Sequence, residues 1–360
     1  MLRRGDTGAA VAEVRARLAH LGLLTDSPEG DPAVFAPSVS DPAVFDDDLD
    51  RAVRAFQQER GITVDGIVGP HTYRRLEEAR WQLGDRVLSY IPGHLMAGDD
   101  VTELQRRLNR LGFDAGRADG LFGAQTDTAL REFQKGVGVT SDGTCGPDTF
   151  RAFDRLVRTI SGGNADTLRD SVTLLDLQTG VADKVVVIDA GDTVDPVLCH
   201  AIAVRVEGRL AALGTQVLLT RPAHPEASAS FPDDPARAQF ANDVGADLVL
   251  SLHVSRCESP GPNGLATFYY GDPRGGQHSP SGRVLAARVQ EELAARTDLL
   301  DCRTHPRTWD LLRLTRMPAV RVELGYLSHD ADARRLASPV FQDAVAEGVA
   351  AAVTRFCAPR

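Results

Sequence analysis

The sequence predicts a multidomain chain, two small all-α modules followed by an α/β domain with a mostly parallel sheet. Three observations carry that expectation. The first half of the 360-residue chain repeats itself. The second half alternates short runs of Val, Ile and Leu with segments of helical spacing, the pattern of strands joined by crossover helices. The composition, 42% hydrophobic and 25% charged, supplies enough apolar residues for more than one core.

The repeat defines the modules. AFQQERGITVDGIVGPHTYRRL at 55–76 aligns without gaps on EFQKGVGVTSDGTCGPDTFRAF at 132–153, pairing Phe56 with Phe133, Asp65-Gly66 with Asp142-Gly143 and Gly69-Pro70 with Gly146-Pro147. Upstream, GAAVAEVRARLAHLG at 8–22 matches GDDVTELQRRLNRLG at 98–112 at a larger offset, so the first copy carries an insertion, assigned to 25–47. Val11, Val14, Leu18 and Leu21 fall at helical spacing, as do Val101, Leu104, Leu108 and Leu111, and each run ends in a Gly suited to a left-handed helix cap. A second helix carries Phe-Gln. Asp-Gly then supplies a turn with positive φ, and Pro two residues after the next spacer suits the first turn of a third helix. The expected boundaries are 1–85 for the first module and 90–160 for the second, with a linker at 161–184. The insertion repeats DPAVF at 31–35 and 41–45 and reads as a surface loop.

The order helix, FQ, DGxxGxxT, helix closely resembles the peptidoglycan-binding modules that accompany cell-wall hydrolases. That resemblance implies binding of glycan or stem peptide, with docking to a partner protein as the alternative. The Asp-Gly turns and the Phe residues themselves read as makers of the fold.

From 185 to 358 the chain reads as the α/β domain. KVVVID (184–189), TQVLLTR (215–221), ADLVLSLHV (246–254), LATFYY (265–270) and AVRVELGY (319–326) are expected strands, with helices at 197–213, 236–245, 281–296 and 339–356. The first strand runs into three acids, Asp189, Asp192 and Asp195. Ligands gather beyond the carboxyl ends of parallel strands, so the acids suit a metal site, and they equally suit a turn that caps the following helix. His253 in SLHVS and Glu323 in VELGY end two further strands.

This domain resembles the zinc-dependent N-acetylmuramoyl-L-alanine amidases, through IDAGD, LTR (219–221), AN (241–242), ADLVLSLH (246–253) and PAVRVELGYLS (318–328). In that family His, Glu and His hold zinc and a carboxylate on the last strand activates water. Carried over by position, the second His is His253 and the catalytic Glu is Glu323, while Asp192 stands for the first His and Asp195 for the ligand Glu. The resemblance therefore implies a degenerate zinc site of His253, Asp192 and Asp195, with no cofactor or a weakly held zinc, and a chain that leans non-catalytic. The alternative is an active zinc amidase. DCRTHPRTWDLLRLTRMPAV (301–320) extends the likeness to an actinobacterial branch with the same two-module-plus-amidase order. That branch implies a cytoplasmic regulator of peptidoglycan precursor synthesis, whose partners are peptidoglycan fragments or precursors and the UDP-N-acetylglucosamine enolpyruvyl transferase.

The remaining features narrow the class. A net charge of −10 argues against a broad phosphate-binding face and hence against nucleic acid. Met1-Leu2-Arg3-Arg4 leads into no apolar h-region and no stretch has the length of a membrane span, so a cytoplasmic protein is expected. Five cysteines at scattered spacing read as reduced thiols. Cys199-His200 could lend a substitute ligand or open a helix, Cys257 reads as a packed thiol, and Trp81 and Trp309 as packing or interface residues.

Overall fold

The computed structural model describes residues 1–24, 43–156, 172–191, 194–221, 232–272 and 278–359. The chain divides into two compact units, Met1–Asp166 and Thr167–Arg360.

Among the described residues six helices build the first unit: α1 (Ala9–His20), α2 (Asp47–Glu59), α3 (Pro70–Glu78), α4 (Asp99–Arg110), α5 (Ala124–Val137) and α6 (Pro147–Leu156). The apolar stripes expected on α1 and α4 are buried, around one core containing Phe45 and Phe56 and another in which Phe133 stacks on Phe153 at 4.1 Å. Short antiparallel bridges recur in both modules, Leu2 with Val68 and Thr7 with Val44 in the first, Leu88 with Cys145 and Ala97 with Leu121 in the second. They refine the expected boundaries. Val44 is bridged, Phe45 is core, Asp46 caps α2 by accepting from the Leu49 N–H at 2.9 Å, and Asp47 opens that helix, so 44–47 belong to the module. Residues 25–42 of the insertion lie outside the described residues. The second module likewise begins before residue 90, because Leu83 and Leu88 pack in its core. Arg60 joins the two modules by donating to both carboxylate oxygens of Asp99, at 2.6 and 2.8 Å.

The glutamine of each Phe-Gln pair shows what the DGxxGxxT motif does. Gln134 is buried; its amide group donates to Asp142 Oδ1, the Thr144 carbonyl and Thr149 Oγ1 at 3.0 to 3.1 Å, and its Oε1 accepts from the Gly143 N–H at 2.9 Å. Gln57 repeats this with Asp65, Ile67, Thr72 and Gly66. A third copy, unnoticed in the sequence reading, is DGLFGAQT at 119–126, gripped in the same way by Gln105 of α4. The turn needs glycine: Gly66 and Gly143 have φ of +75° and +70°, and an added Cβ would strike Asp50 and Asp127. The motif is thus spent on closing the turn. Replacing Gln134 with Leu leaves buried donors and acceptors unmet, each worth roughly 1–3 kcal/mol. We expect the variant to lose about 2–4 kcal/mol in the unfolding of this unit, read by urea denaturation, while the unfolding of the second unit stays in place.

The second unit is a six-stranded sheet in the order β2-β1-β3-β6-β4-β5, with β1 (Val185–Ala190), β2 (Gln216–Leu219), β3 (Leu248–Ser255), β4 (Leu265–Tyr270), β5 (Asp301–Arg307) and β6 (Ala319–Tyr326). Every neighbouring pair is parallel except β4 with β6. Long helices α8 (Pro196–Ala211), α10 (Pro280–Arg296) and α13 (Pro339–Cys357) bury an apolar core against Val186, Ile188, Leu250, Leu252, Val320 and Val322. The short α9 (Asp234–Asp243) and α11 (Asp310–Leu314) pack together, and α12 (Asp330–Leu336) follows β6. Strand β5 escaped the sequence reading because it has no apolar run; DCRTHPR is an edge strand whose residues are exposed or half-buried and which contains Pro306. The expected linker is also partly structured. Residues 172–177 form a helix, α7, whose Leu174 and Leu177 pack on the core, and the Gly180 N–H donates to the Cys357 carbonyl at 2.8 Å. Among the described residues no helix is long and apolar enough to cross a membrane.

Candidate functional site

Adjacent parallel strands carry the candidate residues to one face of the sheet. Asp189 on β1 is in register with Ser251 on β3, Ser251 with Arg321 on β6, and His253 with Glu323. Side chains two apart on a strand share a face, so all five stand together, opposite the face that α8, α10 and α13 cover.

On β1 and β3 the polar groups bond to one another. Asp189 is wholly buried; it accepts from Arg237 Nη1 at 3.2 Å on both oxygens, from Thr220 Oγ1 at 2.7 Å and from Ser251 Oγ at 2.6 Å. Ser251 Oγ also lies 2.7 Å from His253 Nε2. With the serine proton given to the Asp189 carboxylate, the Nε2–H of a neutral imidazole donates to Ser251, and Nδ1 keeps the lone pair. Burial, followed by the charges of Arg321, Arg237 and Arg221, holds His253 well below its ordinary value of 6.5, so the ring is neutral at pH 7. Gly191 lies against this ring. A Cβ there would sit 2.6 Å from Nδ1, so only glycine fits, and Arg221 fixes the same turn by donating to the Ala190 and Gly191 carbonyls.

On β6 the Glu323 carboxylate is equally engaged. Arg321 donates to Oε1 through Nε at 2.8 Å and Nη2 at 2.5 Å, and Ser255 Oγ donates to Oε2 at 2.7 Å. Arg321 in turn lies 4.5 Å from the ring centre of Trp309, which meets Phe268 edge-on at 4.8 Å. Trp309 is thus a packing residue that steadies Arg321 through its π face. Trp81 also packs, between Arg80 and Arg86 at 4.8 and 4.6 Å.

The structure brings His253 and Glu323 together as register partners. Asp192 lies outside the described residues. Asp195 is the N-cap of α8, accepting on Oδ1 from the Leu198 N–H at 2.9 Å, which is the helix-capping role. Among the described residues no three His, Cys, Asp or Glu side chains gather as a metal site would require. The donors that are described bond to arginines, serines and a helix end. Sequence reasoning missed Ser251, Ser255, Arg321 and Arg237. The first three were readable, since each sits two residues from His253 or Glu323 on the same strand face.

Cys199 is buried at the start of α8, and burial pushes its thiol up to about 12, as it does that of Cys145. Cys357 is raised to about 11, while Cys257 and Cys302 are half-buried. The native protein at pH 8 is therefore expected to give two thiols to an aromatic disulfide reagent, from Cys257 and Cys302, and all five after unfolding. Because the folded values lie above the unfolded value of 9.0, the stability linked to these thiols is full below pH 9 and declines as pH rises from 9 toward 12.

A parallel-sheet domain carrying His253 and Glu323 on neighbouring strands, in a chain that also holds paired FQ…DGxxGxxT modules, defines an amidase-fold cell-wall protein. Residues 188–355 match the N-acetylmuramoyl-L-alanine amidase family, and residues 7–76 and 97–153 match the putative peptidoglycan binding domain. The chain is 44% identical to N-acetylmuramoyl-L-alanine amidase CwlM of Mycobacterium tuberculosis over 98% of its own length and 89% of that protein's. It belongs to the N-acetylmuramoyl-L-alanine amidase family as a CwlM-like member. It is also 29% identical to N-acetylmuramoyl-L-alanine amidase LytC of Bacillus subtilis, over 41% of this chain and 28% of that one. Among solved structures, the catalytic domain of CwlV from Bacillus (Paenibacillus) polymyxa var. colistinus aligns with a TM-score of 0.42 at 28% identity, covering 48% of this chain and 97% of that one. The amidase from Clostridium difficile 630 aligns with a TM-score of 0.43 at 22% identity, over 48% and 96%.

Proposed function

We propose that this protein is a non-hydrolytic member of its family that regulates peptidoglycan precursor synthesis in the cytoplasm, through the UDP-N-acetylglucosamine enolpyruvyl transferase. The observation that carries the non-hydrolytic part is the state of Glu323. Both of its oxygens are bonded within the protein, one of them to a guanidinium two residues away on the same strand. Those bonds occupy and orient the carboxylate, whereas a general base has to come within about 2.6–3.2 Å of the group whose proton it removes. Asp195 caps a helix.

Zinc is on this reading not a resident cofactor. A ligand that binds only the native state raises the melting temperature. Equimolar to tenfold Zn²⁺ is expected to leave the melting temperature of the metal-free protein unchanged; a rise that His253→Ala abolishes would speak for a working metal site.

The regulatory part draws on the likeness of 301–320 and of the domain order to the regulatory branch, and on the two peptidoglycan-binding modules. Its test is capture of the transferase by the full chain, paired with transferase turnover measured with and without the protein in molar excess. A transferase neither bound nor altered in rate defeats the regulatory reading and leaves the fold untouched. The names of the relatives favour a second reading, a cell-wall amidase, as does the retention of His253 and Glu323.

A further inference from the structure

The second unit has a cavity of about 490 Å³ among the end of α10, α12 and the start of α13, on helices rather than on the sheet face that holds Glu323. Pockets of this size take small molecules. Arg296, Arg334 and Arg335 line it, with Asp298 as the acidic lining residue. In a chain of net charge −10, such a cluster of cations calls for an explanation.

Local acids answer these charges incompletely. Arg296 pairs with Glu292, but that carboxylate is shared with Arg355. Arg335 approaches Asp332 only to 3.7 Å, and Asp332 already accepts from the Gly264 N–H at 2.8 Å and the Tyr326 N–H at 3.2 Å. Arg334 is exposed and makes no ion pair among the described residues. The start of α13 adds to the same field. Its first turn holds no acidic residue and the Ser338 side chain makes no capping bond. Beside the charges stand apolar groups, Val340 at 78% exposed and the half-buried Phe341.

We propose that this cavity binds a diphosphate ester, its phosphates held by Arg334, Arg335 and Arg296 and its esterified group resting on Val340 and Phe341. Guanidinium forks match phosphate oxygens in pairs, and a diphosphate carries enough charge to meet three of them at once. A phosphate-free carboxylate would leave most of that charge unanswered.

Calorimetry of the full chain with inorganic pyrophosphate and with uridine diphosphate, at 50 mM and 300 mM salt, tests this. Both are expected to bind, the nucleotide more tightly because it also covers the apolar wall, and both more weakly at the higher salt. Arg334→Ala/Arg335→Ala is expected to weaken both at least tenfold. Val340→Asp, which changes no arginine, is expected to do the same through its added charge. Circular dichroism and the melting temperature confirm that each exposed-site variant is folded. Absence of heat at millimolar ligand, or unchanged binding in both variants, overturns the proposal. The result stands apart from the transferase assay, because it requires neither Glu323 nor the partner.

Discussion

Incubated with purified peptidoglycan, with or without added Zn²⁺, the protein is expected to release muramyl products at a rate at least about 10⁴-fold below that of a family member with intact ligands. A positioned general base alone is worth roughly 10²–10⁴-fold, and a metal-activated water contributes further. To act as that base Glu323 has to share or give up its bonds to Arg321 and Ser255, at 2.5 to 2.8 Å. Freeing it does not repair the site. Arg321→Ala removes the clamp but returns no ligand to the positions of Asp192 and Asp195, so this variant is expected to be as inactive as the parent. Release that depends on stoichiometric zinc and disappears in Glu323→Gln would establish hydrolysis and end the non-hydrolytic reading. The assay is product release followed by chromatography of the soluble fragments, with a competent amidase run in parallel.

How much of this was legible in the sequence differs between the two units. The helical modules were readable because their signals are local: apolar spacing for α1 and α4, Gly22 and Gly112 at the helix ends, Asp-Gly at the turns. The third DGxxGxxT, at 119–126, is less legible because it lies between the two stretches that repeat, 98–112 and 132–153. In the sheet domain, the apolar runs of β1, β3 and β6 announced themselves, whereas β5 is an edge strand with a polar sequence and no periodic cue. The site was half legible. His253 and Glu323 follow from strand ends, but what they are bonded to depends on the register between β1, β3 and β6, and register is a tertiary fact. The pairing of Asp189 with Arg237, 48 residues later, could not be read from any local pattern.

That pairing sets the largest expected effect on stability. Asp189 and Arg237 are 0% and 4% exposed, and the aspartate also anchors Thr220 and Ser251. Burial pushes the Asp189 carboxyl above its ordinary range, and the opposing pull of Arg237 and the two hydroxyl bonds offsets that cost only in part. Removing one member of a buried ion pair leaves the other uncompensated, which costs about 3–5 kcal/mol. Asp189→Ala is therefore expected to destabilise the second unit by at least that amount. It strips Arg237 of its buried carboxylate, while Asp234 stays bonded to its other nitrogen, and releases the serine that orients His253. Replacing the pair together is expected to cost less than replacing Asp189 alone, because Asp189→Leu with Arg237→Met removes both charges and fills the space. Urea unfolding of the full chain, followed in the transition of the second unit, measures both. A single variant within about 1 kcal/mol of the parent, below the range for a broken buried pair, would mean that water or a rearranged carboxylate takes over the role of Asp189 and that the β1–β3 network is not what holds this face of the sheet together.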